Sequence, residues 1–183
     1  IAPVGIYFRK RIFKAARQLH HETRQMLPKK IQPEELENYD LVVSPSGKYK
    51  LAISKEKNVN GEVVGVEMML VEDYCVQFSR LLSQPEIAVV ADDGTTAVFD
   101  RKDGEYTTEM LIYNKQGKTL FSKFTNMLPH DLVVHQDGRV AAFLLKAGRS
   151  ARQTEIAVYF PELDIKHEFT LNFMPEAMEL DEE

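Results

Sequence analysis

The sequence predicts a mainly β chain: about three four-stranded antiparallel β-propeller-like blades preceded by one amphipathic basic α-helix. Three observations carry this expectation. A glycine motif recurs at Gly47, Gly94 and Gly138, spaced 47 and then 44 residues apart. Two valines stand five and four residues before each glycine: Val42 and Val43, Val89 and Val90, Val133 and Val134. The third observation is charge: residues 1–30 carry eight basic side chains and one acid, Glu22, while the remainder sums to -12.

Length and composition set the frame. A chain of 183 residues makes one domain or at most two small ones. With 44% apolar and 28% charged residues, enough apolar surface is present to offset chain entropy, which excludes wholesale disorder. Cys75 is the single cysteine, so a disulfide scaffold is excluded, and a lone thiol leans towards a reducing compartment. No run approaches the ~18 apolar residues of a membrane span. The net charge of -5 argues against general nucleic-acid binding. The chain opens on Ile1, which is expected of a chain that has lost a leader or tag, or of a piece of something longer.

The first element is the helix, from about Ile6 to Leu27. This stretch has no Pro or Gly, and Phe8, Ile12, Ala15, Leu19 and Met26 follow at helical spacings on one face. Pro28 ends it, because the residue before a proline avoids helical angles. Three roles are open to it. Its apolar face can pack on the body or on a twin helix. The apolar opening followed by Arg9-Lys10-Arg11 resembles the flank of a membrane span or an interfacial helix on anionic lipid. Its cations can also contact phosphates without base specificity. From Ile31 to Asp40 the chain turns acidic, with Pro33, Glu34, Glu35 and Glu37, and reads as a connector or one short helical turn. We therefore divide the chain into residues 1–38 and a repeat domain over 39–183.

Within that domain the expected blades span about 39–83, 84–127 and 128–172, and 173–183 starts a further strand. Each begins with a strand containing the valine pair, a bend at the glycine, and a returning apolar strand. Ser-Gly and Asp-Gly favour such bends because glycine accepts positive φ without steric strain. The first unit then continues with strands at Glu62–Val71, after Asn60-Gly61, and Tyr74–Leu81, after a turn at Glu72-Asp73. The second continues at Glu105–Tyr113 and Lys118–Phe124, and the third at Glu155–Phe160 and Ile165–Leu171. Four strands in about 45 residues is the period and content of a propeller blade.

Ser44-Pro-Ser-Gly-Lys-Tyr-Lys-Leu-Ala-Ile-Ser54 resembles the Ser-Pro-Asp-Gly-Lys pattern that opens WD40-like and TolB-like propeller blades. Asp92-Asp93-Gly94 and Gln136-Asp137-Gly138 are weaker copies. The resemblance covers about residues 39–172. The Trp-Asp pair of WD40 repeats is absent, as is Trp altogether. Three blades fall short of a closed ring, which has about four to eight. Either the chain is a truncated fragment, or it pairs with itself as a homodimer, two copies of three blades making six.

The residues give no pattern for catalysis. Adjacent His20 and His21 diverge on a helix, His130 and His135 flank an expected strand, and no Cys-x-x-Cys or His-x-x-x-His occurs. There is no Gly-x-Ser-x-Gly elbow and no glycine-rich phosphate loop. Cys75 reads as a small buried hydrophobe, and Asp92, Asp93, Glu72 and Asp73 as turn residues. We expect no catalytic residue, no cofactor and no metal. The expected role is a non-catalytic protein-interaction scaffold whose basic helix docks or self-associates. The expected contact residues are Arg9, Lys10, Arg11, Lys14, Arg17 and Arg24, with Lys146, Arg149 and Arg152 of a basic loop. The partner is a protein or a second copy, with an anionic membrane surface as a further partner for residues 1–27. The expected location is the cytoplasm, including its membrane face. Two alternatives stand beside this reading. One is a regulatory or gating propeller piece of a larger hydrolase, as the TolB-like resemblance implies. The other is the cytoplasmic part of a membrane-anchored protein whose span precedes Ile1.

Overall fold

The structure, a computed structural model, describes residues 29–54, 58–59, 62–63, 65–102, 107–146, 154–173, 175 and 177–180. The expected helix over 6–27, with Arg9, Lys10, Arg11, Lys14, Arg17 and Arg24, lies outside them, as do Arg149 and Arg152. The chain enters through a single helical turn, α1 (Pro33–Leu36), started by Pro33 and with Glu35 accepting from the Gln32 N–H at 3.4 Å.

Three four-stranded antiparallel sheets follow, each a simple meander. The first is β1 (Tyr39–Val43), β2 (Tyr49–Ser54), β5 (Val66–Glu72) and β6 (Cys75–Leu82), with a small hairpin of β3 (Asn58–Val59) and β4 (Glu62–Val63) between β2 and β5. The second is β7 (Gln84–Val90), β8 (Thr96–Arg101), β9 (Thr108–Tyr113) and β10 (Thr119–Thr125). The third is β11 (Leu128–Val134), β12 (Ala141–Lys146), β13 (Thr154–Phe160) and β14 (Ile165–Leu171).

The three glycine bends share one set of hydrogen bonds. Gly47, Gly94 and Gly138 have φ of 77°, 88° and 75°, and each N–H donates to the carbonyl three residues back, on Ser44, Ala91 and His135. The bends also touch one another. Ser46 donates from its N–H and its Oγ to Asp92 Oδ1, at 2.8 and 2.6 Å, and the Asp92 N–H donates to Gln136 O at 2.7 Å. Pro45 stands where Asp92 stands in the second bend and has no N–H to give, so Ser46 makes the first link instead. The two Ser46 hydrogen bonds hold the Asp92 carboxyl below its ordinary value.

One expected strand is corrected. Glu62–Val71 is not continuous: Glu62 and Val63 belong to the β3–β4 hairpin, and β5 begins at Val66. The break is Gly65, whose φ of 114° takes the chain out of extended geometry, and whose missing Cβ leaves room for the Leu82 carbonyl. The neighbouring turn falls one residue later than expected, on Asp73 and Tyr74, both at positive φ as a two-residue hairpin of this twist requires.

Period-two alternation builds two cores from one middle sheet. Val98, Leu111 and Tyr113 turn to the first sheet and pack with Tyr49, Leu51, Met68, Leu70 and Phe78. Ala97, Phe99, Met110 and Ile112 turn to the third and pack with Leu132, Phe143, Leu145 and Tyr159. The sheets therefore stack in chain order, with β7 beside both β1 and β11 at the inner edge.

The bends supply a stability test. Gly47 has open space where a Cβ would sit, whereas a Cβ on Gly138 would overlap the Asp93 carboxylate of the preceding bend. Gly47→Ala is expected to lose about 1 kcal/mol from left-handed backbone strain alone. Gly138→Ala is expected to lose about twice that, and Asp93→Ala in the same chain to restore part of it. Urea unfolding measures both; equal losses at the two glycines would mean that the bends do not abut.

Candidate interaction surface

The outward face of the third sheet is fixed by its register. Phe160 pairs with Ile165, Val158 with His167, and Ile156 with Phe169. On β14 the alternate residues turn the other way: Lys166 and Glu168 meet at 3.3 Å, and Glu168 pairs with Lys123 of β10. That Lys123 contact holds the Glu168 carboxyl below its ordinary range. Ile165, His167 and Phe169 therefore face away from the second sheet. His167 stacks on Phe169 at 6.3 Å and stands edge-on to Phe160 at 6.2 Å. Phe169 is 52% exposed and Ile165 42%, with Leu163 and Phe173 exposed at either end. Monomeric surfaces seldom keep such side chains together in the open.

At the inner edge of this face runs the segment 177–180. Its Met178 N–H donates to Asp131 Oδ2 at 2.9 Å. Met178 and Leu180 are half-buried while Ala177 and Glu179 are exposed, a strand-like alternation in a segment outside any sheet. The hydrogen bond spans 47 residues, close to the 46 of Ser46–Asp92 and the 44 of Asp92–Gln136. The segment thus stands one repeat on from β11.

The outward face of the first sheet is half covered. Ile31 and Leu36 pack on Ala52, Met69 and Val71. The chain ahead of α1 pairs with the edge of β6: the Val76 N–H donates to Lys29 O and the Ile31 N–H to Tyr74 O, both at 2.9 Å. What stays bare is Leu41 and Val43 on β1 and Leu81 on β6, at 43%, 50% and 69% exposure. Lys50 Nζ lies 5.5 Å from the Tyr74 ring on the same face, and Lys29 and Lys30 are exposed at its rim.

Of the contact residues expected from sequence, Lys146 alone lies among the described residues. It ends β12, half-buried, opposite Leu128 and Thr154. Cys75 is corrected from buried to half-buried, at the start of β6 beside Lys30. His130 lies within β11 rather than flanking it, and His135 Nδ1 sits 2.5 Å from Asp137 Oδ1 inside the third bend. Burial raises the Asp137 carboxyl, but the Arg139 N–H, His135 and the Arg139 side chain together outweigh it and bring it down to about 2. Among the described residues no three His, Cys, Asp or Glu side chains gather as a metal site, and no helix is long and apolar enough to cross a membrane. The apolar end faces were missed by sequence reasoning. Their signal was the alternation of Ile165, His167, Phe169 and Leu171 in the last strand of a stack.

Stacked four-stranded meanders with inner edges side by side are the arrangement of blades around an axis. No family model and no curated protein matches the sequence. Among solved structures the chain is similar to the β-propeller domain of the trilobed protease from Pyrococcus furiosus, described as having an open velcro topology. The identity is 12% and the TM-score 0.54, over 72% of this chain and 42% of that one. The fold is β-propeller-like. At this identity the likeness reaches the blade architecture and no further. An uncharacterized protein from Listeria monocytogenes has 13% identity and a TM-score of 0.48, over 78% of this chain and 42% of that one, too loose a match to bear on the blades. The chain spans less than half the length of either structure.

Proposed function

We propose that the chain is a protein-interaction scaffold in which the stacked blades hold a rigid apolar end face for a protein partner. The observation that carries this reading is the outward strip of β14, where Ile165 and Phe169 stand exposed on a blade whose opposite face is a packed core. A strip fixed by a ladder of hydrogen bonds meets a partner with little ordering entropy left to lose. The basic segment 1–30, with Arg9, Lys10, Arg11, Lys14, Arg17 and Arg24, supplies a second contact of opposite charge to the acidic body.

A photo-crosslinking phenylalanine analogue at position 169, in cells that make the protein, is expected to give discrete protein adducts. The same group at Gln116, an exposed residue of the β9–β10 turn, is expected to give none. Absence of adducts at 169, or the same adducts at both positions, would overturn the scaffold. The likeness to a protease's propeller domain favours a second reading, in which these blades gate or regulate a hydrolase. That reading expects the adduct at 169 to be a hydrolase chain, which mass spectrometry of the adduct decides.

A further inference from the structure

We infer that the free outer edge of β14 is a strand-addition site, where an extended segment of the protein partner pairs with the third blade and lays apolar side chains on its outward strip. The inference rests on the scaffold reading and states how the partner is held. The chain makes this kind of contact once with itself. Residues 29–31 run antiparallel to the outer strand of the first blade: Lys30 faces Cys75, the Val76 N–H donates to Lys29 O and the Ile31 N–H to Tyr74 O, both at 2.9 Å. The Ile31 side chain folds onto the outward face and is buried there with Ala52, Met69 and Val71. β14 is the outer strand of the third blade as β6 is of the first, and among the described residues no strand lies beyond it.

The three outer strands differ in how open their edges are. β6 takes residues 29–31 and meets a register shift between Leu70 and Val71 of β5, and β10 carries a shift between Thr119 and Phe121. β14 pairs with β13 without a shift over all 7 of its residues, contains no proline, and is exposed from Ile165 to Thr170. Bulges, prolines and unmet charges are what keep an edge from recruiting a strand. The charges on β14 are already met: Glu168 pairs with Lys166 at 3.3 Å and with Lys123 of β10, which also lies 3.7 Å from Glu155. In the turn ahead of it, Asp164 accepts from the Tyr159 hydroxyl at 2.8 Å, and Glu162 is exposed. Alternation fixes the chemistry of the occupant. Side chains opposite Ile165, His167 and Phe169 fall on the outward strip, and those opposite Lys166 and Glu168 on the other side. The occupant is therefore an extended segment apolar at every second position, with neutral polar residues between. An outer strand stays outermost whatever number of blades stands around the axis, and residues 177–180 lie at the inner edge, so neither competes for this site.

The probe is a labelled peptide with the sequence of β13, Thr154–Phe160, the strand that β14 already accepts on its other edge. Fluorescence anisotropy is expected to show saturable binding, at least about tenfold weaker for a peptide of the same composition with the alternation scrambled. The bound peptide should slow amide exchange at alternate residues of β14 in the parent chain, because every second N–H points to the free edge. His167 and Glu168 are neighbours, so one N–H lies in the β13 ladder and the other at that edge. Of His167→Pro and Glu168→Pro, the one that keeps the parent's circular dichroism and urea midpoint is expected to weaken the peptide at least about tenfold. Alanine at the same position keeps the N–H and should bind as the parent does. In cells, the tolerated proline is expected to remove the protein adducts at residue 169. No saturable binding, no alternate protection of β14, or binding indifferent to the tolerated proline would each overturn the inference. So would an adduct at 169 that joins two parts of one chain. If adducts to another protein persist in the proline variant, the partner sits on the strip and not at the edge: the scaffold reading survives and strand addition does not.

Discussion

Phe143→Ala is expected to lower the unfolding free energy by about 4 kcal/mol. Phe143 is fully buried on β12, with its ring 5.2 Å from Phe99 of β8, edge to face, and 6.0 Å from Phe121 of β10. Two of the three rings belong to the middle blade and one to the third, so the deletion empties the seam between two sheets. Each sheet is held by its own hydrogen-bond ladder and cannot relax into the gap, which puts the loss in the upper part of the range for such truncations. Urea unfolding should show the lower midpoint with an unchanged slope. Phe99→Ala combined with Phe143→Ala should fall short of additivity by about 1 kcal/mol, because the two share one edge-to-face contact. Phe124→Ala, on an exposed ring of β10, should stay within about 0.5 kcal/mol of the parent. A loss below about 1 kcal/mol for Phe143→Ala would mean that the blades do not share this core.

The repeat was legible because its markers have backbone causes. Gly47, Gly94 and Gly138 are needed where φ is positive, and the valine pairs supply the strand ahead of each bend. The inner strands are nonetheless longer than the valines suggest. β7 starts at Gln84 and β11 at Leu128, and Pro85 and Pro129 hide those beginnings. Both prolines sit at register shifts in strands at the inner edge of their sheets, where a missing N–H leaves no ladder bond unmade. Gly65 interrupts β5 for the opposite reason, by adopting a φ that a strand residue would not. The end faces were beyond sequence alone. Alternation says that Ile165 and Phe169 share a side, but what covers that side depends on how many blades stack, and no local pattern encodes that number. Asp100, at the end of the apolar run of β8, is fully buried in the structure.

Asp100→Ala is expected to lose about 3 kcal/mol. Its carboxylate accepts from the N–H groups of Ser83 and Gln84, at 3.2 and 2.8 Å, which form the link between β6 of the first blade and β7 of the second. Lys102 Nζ completes the set at 2.5 Å and also reaches Glu109 at 2.8 Å. Alanine would leave the Ser83 and Gln84 amides without their acceptor and the Lys102 ammonium with Glu109 alone. Asp100→Asn keeps an acceptor but loses the charge, so it should fall between. The pH dependence gives an independent check. Partial burial lowers the Lys102 pKa, but Asp100 and Glu109 together raise it above its ordinary 10.5. A raised value means that the pair's stabilisation is whole below pH 10.5 and is lost as pH climbs through the folded-state value. The gap between parent and Asp100→Ala should therefore be flat from neutrality to about pH 10.5 and narrow as pH rises from there through the folded-state value. Amide exchange at Ser83 and Gln84 should quicken in the variant while Phe143 and its strand keep their protection. A gap that stays constant into strong alkali, or unchanged exchange at the link, would show that the lysine–aspartate pair does not join the two blades.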